Sequence, residues 1–333
     1  MQVAVMGLGS WGTAFALVLA DAGHRVHVWG RNAGTVAEVT ATRRNEAFHP
    51  GLVLPPEVLA VGDPADALRG AELVVLAVPA QSLRGNLEAW GHLVPEGVVV
   101  LSLLKGLELG SHARMSEVVA GALGWPDRQI AVLSGPNLAR EVVQRQPTAS
   151  VVACAEESVA AQVQGWIRTA SFRPYTNTDV VGVELGGVVK NVIALATGMA
   201  EGMGFGDNSK AAIMTRGLAE MTRLGVALGA NPLTFMGLAG VGDLIATCSS
   251  PLSRNRTFGD NLGHGMTMAE VSAITAQTAE GVTSCAPVLE MARENGVDMP
   301  ITEHVFGVVT QGWAPRDMVA SLMSRVAKPE WTS

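Results

Sequence analysis

The segment Gly7-Leu8-Gly9-Ser10-Trp11-Gly12 limits what this chain can fold into more than any other. It follows an apolar run at residues 2–6 and opens an apolar helical pattern that reaches Leu19. A glycine turn between strand and helix has a mechanical purpose. Gly7 permits the tight turn, Gly9 lets the backbone approach a pyrophosphate, and Gly12 lets helix and strand pack closely. The helix N-terminus then faces negative charge. The glycine pattern alone is a weak signal, but here strand, helix and a second strand at residues 25–29 stand in the required order. The residue after that second strand selects the cofactor, since a carboxylate there would hold the ribose 2′-hydroxyl of NAD(H). This chain has Gly30-Arg31-Asn32. A guanidinium without a carboxylate favours the 2′-phosphate of NADP(H), with NAD(H) left open.

The first half repeats the alternation of strand and helix. Residues 58–61, 72–78, 97–104 and 129–135 read as further strands, followed by 149–155 and a last strand near 172–175. Strands that are apolar throughout and alternate with helices predict a parallel sheet covered on both faces. From about residue 178 nearly everything reads as helix, with long 3.6-period stretches at 180–201 and 209–229. The expected class is α/β, with a dinucleotide-binding domain over 1–178 and a helical substrate-binding domain over 179–333. A length of 333 residues suits two domains of roughly 150 residues each.

Composition narrows the partners. Charged residues are 16% and hydrophobic residues 48%, against a usual charged share of about 25%. Little obligatory solvent-facing surface implies a large interior or a subunit interface, which is compatible with a homodimer. The net charge is -7 and no basic stripe occurs, which argues against nucleic acid and anionic membranes. Cys154, Cys248 and Cys285 are far apart and show no metal-ligand spacing; reduced thiols in a cytoplasmic protein, and no metal, are expected. No signal segment precedes the first strand. The most apolar helical stretch, 180–200, carries Glu184, Lys190 and Asn191, whereas a bilayer span needs about 20 residues with few or no charges.

In open α/β sheets ligands bind outside the carboxyl ends of the strands. Lys105 sits at the end of 97–104, and Ser134-Gly135-Pro136-Asn137 at the end of 129–135. Lys190 is embedded in an apolar helix, where a lysine either snorkels to the surface or is buried for a purpose. Gly186-Gly187, one turn before it, costs about 1 kcal/mol of helix stability per glycine and allows very close approach by a backbone or a ligand. Asp243 follows a glycine-rich turn at 237–242. Helix capping is its ordinary role, but Ala246 leaves no capping box, and Thr247 shares a helical face with Asp243. Ser253-Arg254-Asn255-Arg256 is the best basic cluster of the second half, and a guanidinium suits a phosphate.

Taken together, GLGSWGTA, LLKGLE, SGPNLARE, ELGGVVKNVIALATG, TRGLAEMTRLG, TFMGLAGVGDLIATC, SRNRTFG and AEGVTS occur in an order that resembles bacterial NAD(P)-dependent glycerol-3-phosphate dehydrogenase nearly end to end. The resemblance implies a Rossmann-type doubly wound sheet with an all-helical C-terminal domain like that of 6-phosphogluconate dehydrogenase. It implies reversible reduction of dihydroxyacetone phosphate to sn-glycerol 3-phosphate by hydride transfer, supplying glycerol phosphate for phospholipid synthesis. Ser10, Trp11, Arg31, Lys105, Ala139, Arg254 and Glu280 would contact the cofactor. Lys190 would be the catalytic acid/base. Lys105, Gly135, Asn137, Asp243, Ser253, Arg254 and Asn255 would line the glycerol phosphate site, with Lys105 and Asp243 supporting catalysis. Asn137 departs from the usual Ser or Thr, which puts a hydroxyl contact in question. Thr278 departs from the usual apolar residue two before Glu280.

The chemistry follows from these side chains. Negative charge develops on the carbonyl oxygen as hydride reaches C2, and the Lys190 ammonium can stabilise that charge and donate the proton. Two alternatives share part of the pattern. A related β-hydroxyacid dehydrogenase would hold a carboxylate, for which SRNR is less suited than for a phosphate. A non-catalytic NADP sensor would have no need of Lys190 inside an apolar helix.

Overall fold

The computed structural model describes residues 1–275 and 279–324. Its strands are β1 (Gln2–Met6), β2 (Arg25–Trp29), β3 (Val58–Val61), β4 (Leu73–Leu76), β5 (Val99–Ser102), β6 (Ile130–Ser134), β7 (Thr148–Ala153) and β8 (Phe172–Asn177). They form one sheet in the order β3-β2-β1-β4-β5-β6-β7-β8. The first six give the 3-2-1-4-5-6 order of a doubly wound fold, in which the chain switches direction between β1 and β4. The glycine turn stands at that switch point. Gly7 N–H donates to Trp29 O at 3.0 Å, and Ala77 N–H donates to Met6 O at 3.0 Å.

The sheet is not parallel throughout. β7 runs antiparallel to β6, pairing Val132 with Ala153 and Ser134 with Val151, and β8 then runs parallel to β7. The connections explain this. Between β6 and β7 lies only the five-residue helix Ala139–Val143, too short to carry the chain back across the sheet for a parallel return. Between β7 and β8 the 11-residue helix Glu157–Ile167 makes that crossover.

Successive strand residues point to opposite faces. Val3, Val5, Val26, Val28, Val75 and Leu101 pack with Phe15 and Leu19 on one face. Ala4, Met6, Trp29, Val74, Leu76 and Val100 pack with Leu83 and Leu87 on the other. Burial of both faces is why these strands read as continuous apolar runs.

The chain divides into two compact units, one of Met1–Val188 with Gly225–Ala246 and one of Val189–Leu224 with Thr247–Ser333. The first holds the whole sheet. The second is helical among the described residues and includes the helices Arg254–Gly263, Glu280–Glu294 and Pro300–Gln311. Two stretches, Val180–Gly202 and Pro232–Ser249, are long and apolar enough by length and composition to cross a membrane; of the most apolar 18-residue window of the first, 89% is buried within the protein, as in a core helix.

In the helical unit one carboxylate terminates another helix. Glu220, 1% exposed, accepts from the N–H groups of Ile301 at 2.7 Å and Thr302 at 3.2 Å and from the Thr302 hydroxyl. These are orphan donors of the first turn of Pro300–Gln311. Burial pushes the Glu220 carboxyl up to about 7, against the pull of these hydrogen bonds. A folded-state pKa above the unfolded value means that the folded chain holds the proton more tightly. The resulting stability is fully present below about 4.5 and is lost as pH rises through about 7. We therefore expect the unfolding free energy to fall between pH 5 and pH 8 by an amount on the order of 3 kcal/mol from this group. Glu220→Gln should flatten that slope in urea titrations; an unchanged slope would assign it to other groups.

Candidate active site

The turn after β1 is built to receive an anion. Gly7 has φ +139, which only glycine adopts readily, and a Cβ there would lie 2.5 Å from Ala77 O. A Cβ on Gly12 would collide with Gly7 O, whereas one on Gly9 would meet nothing within 4 Å. The backbone at Gly9 thus borders open space. The helix Ser10–Asp21 starts there with no side-chain cap, so its dipole and first N–H groups are available to a diphosphate. Ser10 and Trp11 are half-buried at this end. Arg31 is exposed just beyond β2, and its neighbour Asn32 caps the next helix through Thr35 N–H at 3.0 Å. These residues fit a nicotinamide dinucleotide. Ala139 begins the helix after β6, and Glu280 begins the helix Glu280–Glu294.

The carboxyl ends of β5 and β6 carry the second group. Lys105 Nζ donates to Asp243 Oδ2 at 2.7 Å and to Gly135 O at 3.0 Å. The Asp243 side chain is 2% exposed and that of Lys105 14%. Asp243 is not a helix N-cap. A π-helical turn, Leu238–Gly242, runs directly into the helix Asp243–Ser249, and Asp243 already has helical φ and ψ. Its carboxylate turns to the lysine instead of capping the helix. Gly186 and Gly187 make room for this arrangement. A Cβ on Gly186 would strike Ala239 O, and one on Gly187 would lie 2.8 Å from Ser134 Oγ and 3.3 Å from Lys105 Cγ. The close approach expected of this pair is made by backbone at Gly186 and by side chains at Gly187. Gly135 has φ +126, which turns the chain out of β6. Asn137 accepts from Ser150 Oγ at 3.1 Å, and its Nδ2 is buried without a protein partner.

Lys190 does not snorkel. It is 6% exposed and its Nζ donates to Thr247 Oγ1 at 2.7 Å. The next residue, Asn191, accepts from Asn255 Nδ2 at 2.9 Å, and Asn255 Oδ1 accepts from Gly281 N–H at 2.9 Å. Both ends of the Asn255 amide are thus engaged within the helical unit. Ser253 caps the helix Arg254–Gly263 by accepting from Arg256 N–H at 3.2 Å, and Arg256 pairs with Glu201. Arg254, the first residue of that helix, is exposed.

Two further clusters were not legible as site residues in the sequence. Glu184, 6% exposed, accepts from Arg114 Nη1 at 2.7 Å, Ser116 N–H at 2.9 Å and Ser116 Oγ at 2.6 Å. Burial raises its pKa, and the Arg114 charge and the Ser116 bonds oppose that rise. Asn45 and His49 hold the glycine turn from a loop some 37 to 39 residues away. No motif links that loop to the turn. The burial of Asn45 and His49, 1% and 3% exposed, is visible only in the structure. The Thr278 departure lies outside the described residues.

Residues 2–160 match the N-terminal family of NAD-dependent glycerol-3-phosphate dehydrogenase, and residues 179–320 match the C-terminal one. The glycerol-3-phosphate dehydrogenase [NAD(P)+] of Streptomyces griseus is 60% identical over 331 residues, 99% of this chain and 98% of that protein. The crystal structure of glycerol-3-phosphate dehydrogenase from Coxiella burnetii superposes with a TM-score of 0.93 at 36% identity, covering 97% of this chain and 99% of that one. The yeast Saccharomyces cerevisiae enzyme gives 0.82 at 27% identity, covering 98% and 99%. Matches in both halves, over nearly the full length, mean that this chain belongs to the NAD-dependent glycerol-3-phosphate dehydrogenase family.

Proposed function

We propose that this chain is an NAD(P)-dependent sn-glycerol-3-phosphate dehydrogenase, with Lys190 as its acid/base and the Lys105–Asp243 pair as its orienting group. The observation that carries the reading is Lys190, a lysine kept in an apolar helix at 6% exposure and bonded to the Thr247 hydroxyl. A lysine pays heavily for such burial unless its charge is used. We take residues 1–178 as the dinucleotide-binding domain and 179–333 as the helical substrate-binding domain. The substrate is a small molecule. Cytoplasmic location, a homodimer, no nucleic-acid or membrane partner, and a role in supplying glycerol phosphate for phospholipids belong to the same proposal.

When bound, the nicotinamide would supply the hydride chemistry at C2 of the substrate. In reduction, Lys190 Nζ donates a proton to the oxygen on C2 as charge develops there. In oxidation it takes that proton back, and Thr247 Oγ1 keeps Nζ in place. Lys105, held by Asp243 and the Gly135 carbonyl, presents its remaining N–H to substrate oxygen. Asn137 Nδ2 supplies the donor that a Ser or Thr hydroxyl gives elsewhere in the family. Arg254, at the start of a helix capped by Ser253, takes the phosphoryl end by charge-assisted bonds, while the Asn255 side chain ties that helix to Asn191 and to the Gly281 backbone. Gly7, Gly9, Ser10, Trp11 and Gly12 receive the cofactor diphosphate. Arg31 favours NADP(H) over NAD(H), and Ala139 and Glu280 complete the cofactor contacts.

Lys190→Ala should bind NADPH as the parent does and lose roughly 10²–10⁴-fold in kcat with dihydroxyacetone phosphate. NADPH absorbance gives the rate and fluorescence titration gives the affinity; near-parental kcat would make Lys190 structural. Arg254→Ala should raise KM for dihydroxyacetone phosphate at least tenfold, on the scale of about 2 kcal/mol for a lost charge-assisted contact. Turnover of unphosphorylated dihydroxyacetone should change far less. An equal loss with both substrates would move phosphate recognition elsewhere.

A further inference from the structure

The glycine turn is gripped from behind. Asn45 Nδ2 donates to Leu8 O at 3.2 Å and to Thr13 Oγ1 at 2.9 Å. His49 Nε2 lies 2.7 Å from Ser10 O and 3.5 Å from Ser10 Oγ. A carbonyl only accepts, so Nε2 carries the hydrogen. Asn45 is 1% exposed and His49 3%. Three successive parts of the turn, at residues 8, 10 and 13, are thereby tied to one short loop. That loop is itself closed by backbone bonds from Phe48 and His49 to Asn45 O and by Gly51 N–H to the Glu46 carboxylate.

This grip carries a cost. Asn45 Oδ1 and His49 Nδ1 are buried with no protein hydrogen-bond partner, and unsatisfied buried polar atoms are unfavourable. An apolar side chain at 49 would avoid one of them. Burial also lowers the His49 pKa, with the Arg140 charge acting in the same direction against the Ser10 carbonyl bond, so the imidazole is held neutral. Polar groups kept at a cost beside a ligand-binding turn mark a use. The helix Ser10–Asp21 has no side-chain cap, so the direction of its first N–H groups depends on the backbone that leads into them.

We propose that His49, aided by Asn45, is a positioning residue for the cofactor: its Nε2–H bond to Ser10 O presets the turn so that the first N–H groups of the helix converge on the dinucleotide diphosphate. The inference rests on the dehydrogenase reading only through its nicotinamide dinucleotide. A preset turn loses less freedom when the anion binds, which strengthens binding without any contact between His49 and the ligand. The role is confined to the cofactor, since no substrate group is involved.

The test compares His49→Leu, His49→Asn and His49→Gln, reading NADPH affinity by fluorescence titration and calorimetry and the ligand-free melting temperature by scanning calorimetry. The Gln amide can set its nitrogen where imidazole Nε2 stood; the Asn amide reaches only the Nδ1 position. His49→Leu removes an unsatisfied atom and should melt no lower than the parent, yet bind NADPH about tenfold more weakly, the scale of one buried hydrogen bond. His49→Gln should bind within about twofold of the parent, and KM for dihydroxyacetone phosphate should hold in all three. If His49→Leu does not fold, His49→Asn against His49→Gln decides. Equal affinity of Leu or Asn variants with the parent, or a Gln variant as weak as they are, overturns the proposal. A parent protein that binds neither NADPH nor NADH overturns the dehydrogenase reading as well, which separates the two failures.

Discussion

The Lys105–Asp243 ion pair is the constraint around which the sheet unit is arranged. Two charges at 2.7 Å, with the carboxylate 2% exposed, are tolerable only when each is hydrogen-bonded, because removing one leaves an uncompensated charge worth about 3–5 kcal/mol. Neighbouring features serve that need. The left-handed Gly135 aims its carbonyl at Nζ. Gly187 clears space for the lysine stem, and Gly186 lets Ala239 come close enough for the π-helical turn to deliver Asp243. The glycine cost inside the long helix, the unusual turn and the conformation after β6 then have one cause.

Helix ends show a second economy. Two helices have their first N–H groups satisfied by a distant carboxylate: Glu184 reaches Ser116 N–H, and Glu220 reaches Ile301 and Thr302. The helix Ser10–Asp21 lacks any side-chain cap. A net charge of -7 is no bar to the proposed diphosphate there, because the attraction would come from local dipoles rather than from net charge. On the proposed reading, a diphosphate would supply the cap that this helix lacks.

The features legible in the sequence were those carried by contiguous residues. Residues 2–12 alone announce the strand, turn and helix, since glycine spacing reports backbone geometry directly. Lys190 stood out because an apolar helix has few reasons to hold an ammonium. Asp243 was legible as a residue, but its lysine partner lies 138 positions away and no periodicity reports that distance. The same holds for His49 with Ser10 and for Glu184 with Ser116. The antiparallel β7 was missed because apolar runs carry no direction; only the shortness of the helix Ala139–Val143 hinted at it.

A double-mutant cycle tests whether Lys105 and Asp243 work as one unit. We would measure kcat/KM for dihydroxyacetone phosphate at saturating NADPH in the parent, Lys105→Met, Asp243→Asn and the double variant. If the pair is a unit, the double variant loses no more than the worse single one, giving a coupling of at least about 1.5 kcal/mol. Losses that simply add would show that the two charges act independently.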